Sequence, residues 1–386
     1  MSQSQAKPVY LDYNATTPLT PEVIEAMLPF LEKHFGNPSS SHPYGHITRQ
    51  AVEVARRHVA NLIHANAHEI VFTSGGTESN NLALRGAAKA LREEGNHIIT
   101  SAIEHPAVIE VCNHLVGQGF QLTVLPVDKF GRVSPENLHA AIQPETILVS
   151  IMHANNEVGT IQPIRQLAAI AHQHGALFHT DAAQSVGKMP VDVDELGVDL
   201  LSIAGHKLYA PKGVGALYIR QGVQLDKVIF GAGQEGGRRP GTENVLEIVG
   251  LGKAAQQARS DLALNISHFT KMRDRLHQGL QQALPEGSIR LNGHPQDRLP
   301  NTLNMSFKNI QANVLLEQIQ EQVAASAGAA CHADQVSVSA VLQAMGVPLE
   351  WAKGTVRFSV GRMTTGKEID RAVKIIAAAV TGLWQA

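Results

Sequence analysis

Between residues 70 and 220 two textures alternate along the chain, and this alternation limits the fold more than any other feature. Short β-rich runs at 70–73, 97–101, 121–127, 146–152, 176–180, 199–203 and 214–219 are separated in several places by helical patterns at 79–91, 106–116 and 164–174. Strands alternating with helices of that length predict βαβ units and a mostly parallel sheet. An amphipathic helix over 48–63 precedes the block. After Gly250 the texture changes. One long helix is predicted over 251–284, then strands at 289–292, 302–306, 323–325 and 356–360 mixed with helices at 311–320, 338–345 and 366–383. The expected architecture is therefore α/β. A large domain with a mostly parallel sheet spans 16–254, and a smaller α+β domain is assembled from 1–15 and 255–386. A chain of 386 residues suits such a pair.

Charge and composition narrow the functional classes. The formal net charge of −2 provides no basic field for nucleic acid or an anionic membrane surface. No apolar stretch approaches the ~20 residues of a membrane span, and the N-terminal segment has no hydrophobic run of the secretory kind. Two cysteines make no disulfide framework, so a reducing, cytoplasmic setting is expected. Cys112 sits in the apolar helical pattern of Val108, Ile109, Val111 and Leu115, which reads as packing. Cys331, among Gly, Ala, His and Asp, reads as an accessible loop residue. The 19 histidines include no His-Glu-x-x-His spacing, and Cys-x-x-Cys is absent, so no catalytic metal is expected.

Ligands of open α/β sheets bind beyond the carboxyl ends of the strands. The polar residues that follow the predicted strands are Ser74-Gly75-Gly76-Thr77, Glu104-His105, Asn155-Asn156-Glu157, Asp181 with Gln184, and Gly205-His206-Lys207. Singly, each has an ordinary structural explanation: Thr77 as part of a helix start, Asp181 as a cap, Lys207 as a surface lysine. Together they form the set that pyridoxal 5'-phosphate requires. A lysine holds the coenzyme as a Schiff base, a carboxylate keeps its ring nitrogen protonated, and a helix N-terminus with glycine takes the phosphate. Gly231-Ala-Gly-Gln-Glu-Gly236 also matches a dinucleotide-binding pattern, but Pro240 soon after disfavours the helix that pattern needs.

The chain resembles the cysteine desulfurases and the similar selenocysteine lyases, within the class V aminotransferase group of fold-type I pyridoxal-phosphate enzymes. The resemblance covers nearly the whole length. It runs through Tyr10-Leu-Asp-Tyr-Asn-Ala-Thr-Thr-Pro18, Gly36-Asn-Pro-Ser-Ser40, Phe72-Thr-Ser-Gly-Gly-Thr-Glu-Ser-Asn80 and Glu104-His105. It continues through Asn155-Asn-Glu157, His179-Thr-Asp-Ala-Ala-Gln184, Gly205-His-Lys207, Arg239-Pro-Gly-Thr242, Ser326-Ala-Gly-Ala-Ala-Cys331 and Arg357-Phe-Ser-Val-Gly-Arg362.

The resemblance implies a large domain of the pyridoxal-phosphate transferase type and a role for each matching residue. Lys207 would be the Schiff-base lysine and Asp181 the partner of the ring nitrogen. His105 would stack on the ring and move protons, Gln184 would sit near the ring oxygen, and Asn156 would contact coenzyme or substrate. Gly76, Thr77 and His206 would hold the phosphate, with Thr242 reaching it from the other subunit of a homodimer. Arg357 would bind the substrate carboxylate, a task suited to a guanidinium fork. Cys331 would take sulfur from L-cysteine as a persulfide, leaving L-alanine, and pass it to an acceptor such as an iron–sulfur scaffold protein; His332 beside it could assist. L-Selenocysteine is the alternative substrate. Desulfurases usually carry Ser where this chain has Ala204, and the Gly328-Ala-Ala-Cys-His-Ala-Asp334 stretch is similar to the lyase branch.

Overall fold

The computed structural model describes residues 7–327 and 338–385. In chain order the strands are β1 (Val9–Tyr10), β2 (Ile70–Thr73), β3 (His97–Ser101), β4 (Gln121–Leu125), β5 (Thr146–Ser150), β6 (Leu177–Asp181), β7 (Leu200–Ala204) and β8 (Gly215–Ile219), then β9 (Ile289–Asn292), β10 (Thr302–Phe307), β11 (Val323–Ala324) and β12 (Thr355–Ser359). Seven of them form one sheet in the order β2-β8-β7-β6-β5-β3-β4. The run β7-β6-β5-β3-β4 is parallel throughout, while β8 is antiparallel to both neighbours. Because β8 reverses and β2 reverses again, β2 points the same way as β7. The carboxyl ends of β2, β3, β5, β6 and β7 therefore share one rim.

The inner strands read as continuous apolar runs because helices cover both faces, as parallel sheets require. Every residue of β3, β5 and β7 is buried, whereas the edge strand β4 is exposed over much of its length. One apolar core, including Phe178, Leu201 and Tyr218, packs one face under the helices Pro43–Leu62 and Val245–Ser260. The other face packs around Leu84, Leu115 and Leu148, and Cys112 is buried there, with its thiol pKa pushed up to about 12 by burial.

A separate three-stranded antiparallel sheet, in the order β12-β10-β9, has its own core around Phe307, Phe358 and Leu276. The N-terminal strand β1 pairs with β11 beside it. The helix predicted over 251–284 is two helices, Val245–Ser260 and Leu262–Ala283. Asp261 leaves the helical region between them (φ −103°, ψ 7°). Apolar spacing continues across this break, so periodicity alone does not reveal it. The predicted helix 338–345 shortens to Ala340–Ala344, capped by Ser339. The helix Pro21–Glu32, absent from the sequence reading, starts at its proline and is capped by Thr20. Among the described residues no helix is long and apolar enough to cross a membrane.

Candidate active site

The shared rim opens into a cavity of about 600 Å³, lined by Gly76, Thr77, His105, Asn156, Asp181, Gln184, His206, Lys207 and Arg357. Each strand end contributes through its own local turn. After β2, Gly75 adopts φ +151°, a backbone conformation suited to glycine, and the helix Gly76–Ala90 starts at once. The first-turn N–H groups of Gly76 and Thr77 lie beyond the reach of any intrahelical carbonyl and can serve an anion. Glu78 in the same turn is held by Arg239, whose Nε donates to its Oε1 at 2.8 Å. Ala204, at the end of β7, packs against this turn: a Cβ placed on Gly76 would sit 3.3 Å from the Ala204 methyl. There is space and direction here for the phosphate of the coenzyme.

Asp181 ends β6 and is buried. Its Oδ2 accepts from Asn80 Nδ2 at 2.8 Å and its Oδ1 from the Ala183 N–H at 2.9 Å. Both donors are neutral, so among the described residues the carboxylate has no hydrogen-bonded cationic partner, and a protonated ring nitrogen would supply one. Lys207 lies in the tight turn Gly205–Lys207 after β7. Burial lowers its pKa; the Asp181 charge opposes that effect and the Arg357 charge adds to it. An amine with a lowered pKa is a better nucleophile toward a carbonyl at neutral pH.

His105 caps the helix Pro106–Val116, its Nδ1 accepting from the Ala107 N–H at 3.1 Å. That bond places the proton of a neutral ring on Nε2. Burial, and then the charge of Lys207, lowers the His105 pKa, so the ring is neutral and suited to stacking. His206 contacts the Thr16 hydroxyl through Nδ1 at 3.2 Å, and burial together with nearby lysines, Lys207 foremost, pushes its pKa down to about 4. A bound dianion would raise it again.

Arg357, on β12, reaches the rim from the smaller sheet. Its Nη2 donates to Asp12 Oδ1 at 2.8 Å and its Nη1 to the Asn156 carbonyl at 3.1 Å. Each terminal nitrogen keeps one further N–H for a ligand carboxylate. Thr242 is exposed and lies outside the group that lines this cavity. Cys331 and His332 fall outside the described residues, as does the loop reading of Cys331. The residues that flank the segment 328–337 do border the site. Ser326 is bridged to Arg357, Ser339 donates to the buried Glu157 carboxylate at 2.5 Å, and Ala340 and Val341 line the cavity.

Several cavity residues were not assigned from the sequence. Asn80 and Glu104 stood only as members of quoted motifs. The Glu104 pKa is raised to about 8 by burial; its Oε1 accepts from the Ser101 hydroxyl at 2.5 Å and from the Met152 N–H at 3.0 Å, and its Oε2 has no partner among the described residues. Asn14, within the Tyr10–Pro18 block, lines the cavity without a role assigned to it, and Lys188 lies behind the cavity wall with no sequence signal of its own. The glycines at 231–236 do not open a helix after a strand: β8 ends at Ile219, and a tight turn covers Gln234–Gly237.

Known proteins resolve the family. The model of the class-V aminotransferases matches residues 9–372. A cysteine desulfurase IscS from Dictyoglomus turgidum is 50% identical over 369 residues, covering 95% of this chain and 93% of that protein. The chain belongs to the cysteine desulfurase family of class-V aminotransferases. The IscS of Methanosarcina thermophila is 48% identical over 98% of the chain and 94% of its own length. Among solved structures, a NifS-like protein superposes with a TM-score of 0.91 at 38% identity, covering 97% of this chain and all (100%) of the other. SspA in complex with cysteine superposes at 0.82 with 37% identity, over 92% of this desulfurase-family chain and 100% of that one. The α/β fold with its mostly parallel sheet is thus common to the family.

Proposed function

We propose that this protein is a pyridoxal-phosphate-dependent cysteine desulfurase that converts L-cysteine to L-alanine and retains the sulfur on Cys331. One observation carries the reading: Lys207, Asp181, the Gly76 helix start and Arg357 meet in a single cavity. Lys207 would hold the coenzyme covalently, Asp181 its ring nitrogen, and the Gly76–Thr77 N–H groups with His206 its phosphate. Bound there, the coenzyme supplies an electron sink for bond changes in the amino acid.

The chain's own groups do the rest. Arg357 presents two N–H groups to the substrate carboxylate, and Asn156 stands beside it. The Lys207 amine, with its lowered pKa, takes and returns protons at Nζ, and His105 offers the proton on Nε2. The Cys331 thiolate attacks the substrate sulfur. An S–S bond forms as the C–S bond breaks, a proton goes to the substrate's former CH₂ carbon, and alanine leaves. The reference thiol pKa of ~8.5 makes the thiolate the minor form unless the site favours it. Cys331 lies five positions beyond Ser326, a reach of up to roughly 17 Å at full extension, and both flanks of the segment border the cavity.

A homodimer is part of the proposal. Thr242 does not line its own cavity, and Leu31 and Phe35 are large apolar residues left 69% and 82% exposed. The domain limits 16–254 with 1–15 and 255–386, a cytoplasmic location and an iron–sulfur scaffold as sulfur acceptor complete it. L-Selenocysteine is a second reading, favoured by Ala204 in the cavity wall where desulfurases usually carry Ser. The test is product analysis with each amino acid, alanine with sulfide or selenide, together with borohydride labelling. Protein that stays colourless with added coenzyme and takes no label at Lys207 would overturn the proposal. Strong selenide release with negligible sulfide would favour the second reading.

A further inference from the structure

Lys188 has no carboxylate partner among the described residues and is buried to 5% exposure behind the cavity wall. Its Nζ donates to Gln184 Oε1 at 2.7 Å and to Asn14 Oδ1 at 3.0 Å. Burial, and after it the like charges of Lys207 and Arg357, pushes its pKa well below that of a free lysine. Two side-chain amide oxygens thus receive N–H groups of this amine.

The hub around Asn14 removes any freedom in how these amides are turned. Asn14 Oδ1 accepts from Lys188 and also from Asn301 Nδ2 at 2.9 Å. Asn14 Nδ2 donates to Thr302 Oγ1 at 2.8 Å and to the Asn156 carbonyl at 3.2 Å. Gln184 Nε2 donates to the Asn14 carbonyl at 3.1 Å. With Oε1 committed to Lys188, the amide of Gln184 can present only its remaining N–H to the cavity it lines. Turned over, it would set its Oε1 against the Asn14 carbonyl oxygen and take away the acceptor of the Lys188 N–H, an arrangement that folded proteins avoid.

We propose that Lys188 is a positioning residue that locks the Gln184 carboxamide with its N–H toward the ring oxygen of the coenzyme. The same hub joins the rim of the large sheet to β10 through Thr302, so the setting depends on both sheets. This inference rests on the pyridoxal-phosphate reading above.

The experiment uses the full-length protein reconstituted with pyridoxal 5'-phosphate. The pH midpoint of the visible band from the coenzyme–Lys207 linkage is measured for wild type, Lys188→Met, Gln184→Leu and the double variant. An N–H donor on the ring oxygen draws electron density away from the linkage nitrogen. Its loss raises the pH at which that nitrogen gives up its proton, by roughly one unit or tenfold for one hydrogen bond to a charged group. Lys188→Met is expected to shift the midpoint upward as Gln184→Leu does, and the double variant to shift it no further than either alone. An unchanged midpoint in Lys188→Met, with a shifted one in Gln184→Leu, overturns the inference while the coenzyme reading stands. Additive shifts in the double variant also overturn it. If Lys188→Met does not fold, Lys188→Gln, too short to reach the Gln184 oxygen, must show the shift, and an unshifted midpoint there counts equally against the idea. A wild type without the visible band overturns both readings.

Discussion

Replacing Arg56 with Met should destabilise the protein by about 3–5 kcal/mol, the usual cost of removing one partner from a buried ion pair. Arg56 binds the Glu235 carboxylate in a fork, with Nη1 to Oε2 at 2.7 Å and Nη2 to Oε1 at 2.8 Å. The Glu235 side chain is only 3% exposed, so water does not screen the pair. The same Nη1 donates to the Ile70 carbonyl at 2.8 Å, and the Phe72 N–H donates to Glu235 Oε2 at 2.8 Å. Methionine would keep most of the stem packed against the Phe72 ring, over which the guanidinium carbon sits at 4.7 Å. It would leave a buried carboxylate with one donor and a carbonyl with none. The contact with Glu53, 47% exposed, adds little to the sum. With a urea slope of ~3 kcal/mol/M, the unfolding midpoint should fall by ~1–1.7 M, measured by circular dichroism at fixed protein concentration. The double change Arg56→Met with Glu235→Gln removes the stranded charge and keeps an acceptor for Phe72, so it should recover part of the loss. Glu235 holds φ +49° in the turn just before Arg239, the residue that grips Glu78 in the first turn of the helix Gly76–Ala90, where the phosphate is proposed to bind. Coenzyme retention should therefore weaken along with stability. A midpoint within ~0.3 M of wild type for Arg56→Met, with the same slope, would refute the reasoning.

Three shorter expectations concern the site and its surroundings. Ala204→Ser places a hydroxyl against the Gly76 turn and should tighten coenzyme binding by about 0.5–1.5 kcal/mol, read as a lower Kd in fluorescence titration; unchanged affinity would mean that the phosphate lies elsewhere. In coenzyme-free protein Lys207, with its pKa lowered chiefly by burial, should be reductively methylated at a lower pH than exposed lysines, as mass spectrometry of peptides would show. His172 Nε2 contacts Asp199 Oδ2 at 2.8 Å, and that hydrogen bond raises the His172 pKa. The stabilisation is full below the unfolded histidine value of ~6.5 and is lost as pH rises through the raised value. His172→Ala should therefore cost more at pH 6 than at pH 8.5 in thermal melts. With His172 at 42% side-chain exposure the difference should stay under ~1 kcal/mol.

The amino-acid sequence by itself determined where strands and helices alternate, because burial on both faces leaves continuous apolar runs such as Ile147 to Val149. It also placed Gly76, His105, Asp181 and Lys207 at strand ends, since residues bordering an open sheet's rim must follow its strands. Local spacing could not show the reversal of β8 or the break at Asp261. Each of these depends on what packs against the segment rather than on its own period. Only the tertiary structure brought Asn14, Lys188 and Asn301 into one hydrogen-bonded hub and set Arg357 of β12 beside Asn156 in the turn that follows β5. These contacts join residues more than a hundred positions apart. Their strength comes from being sealed away from water, a condition that no stretch of sequence carries alone.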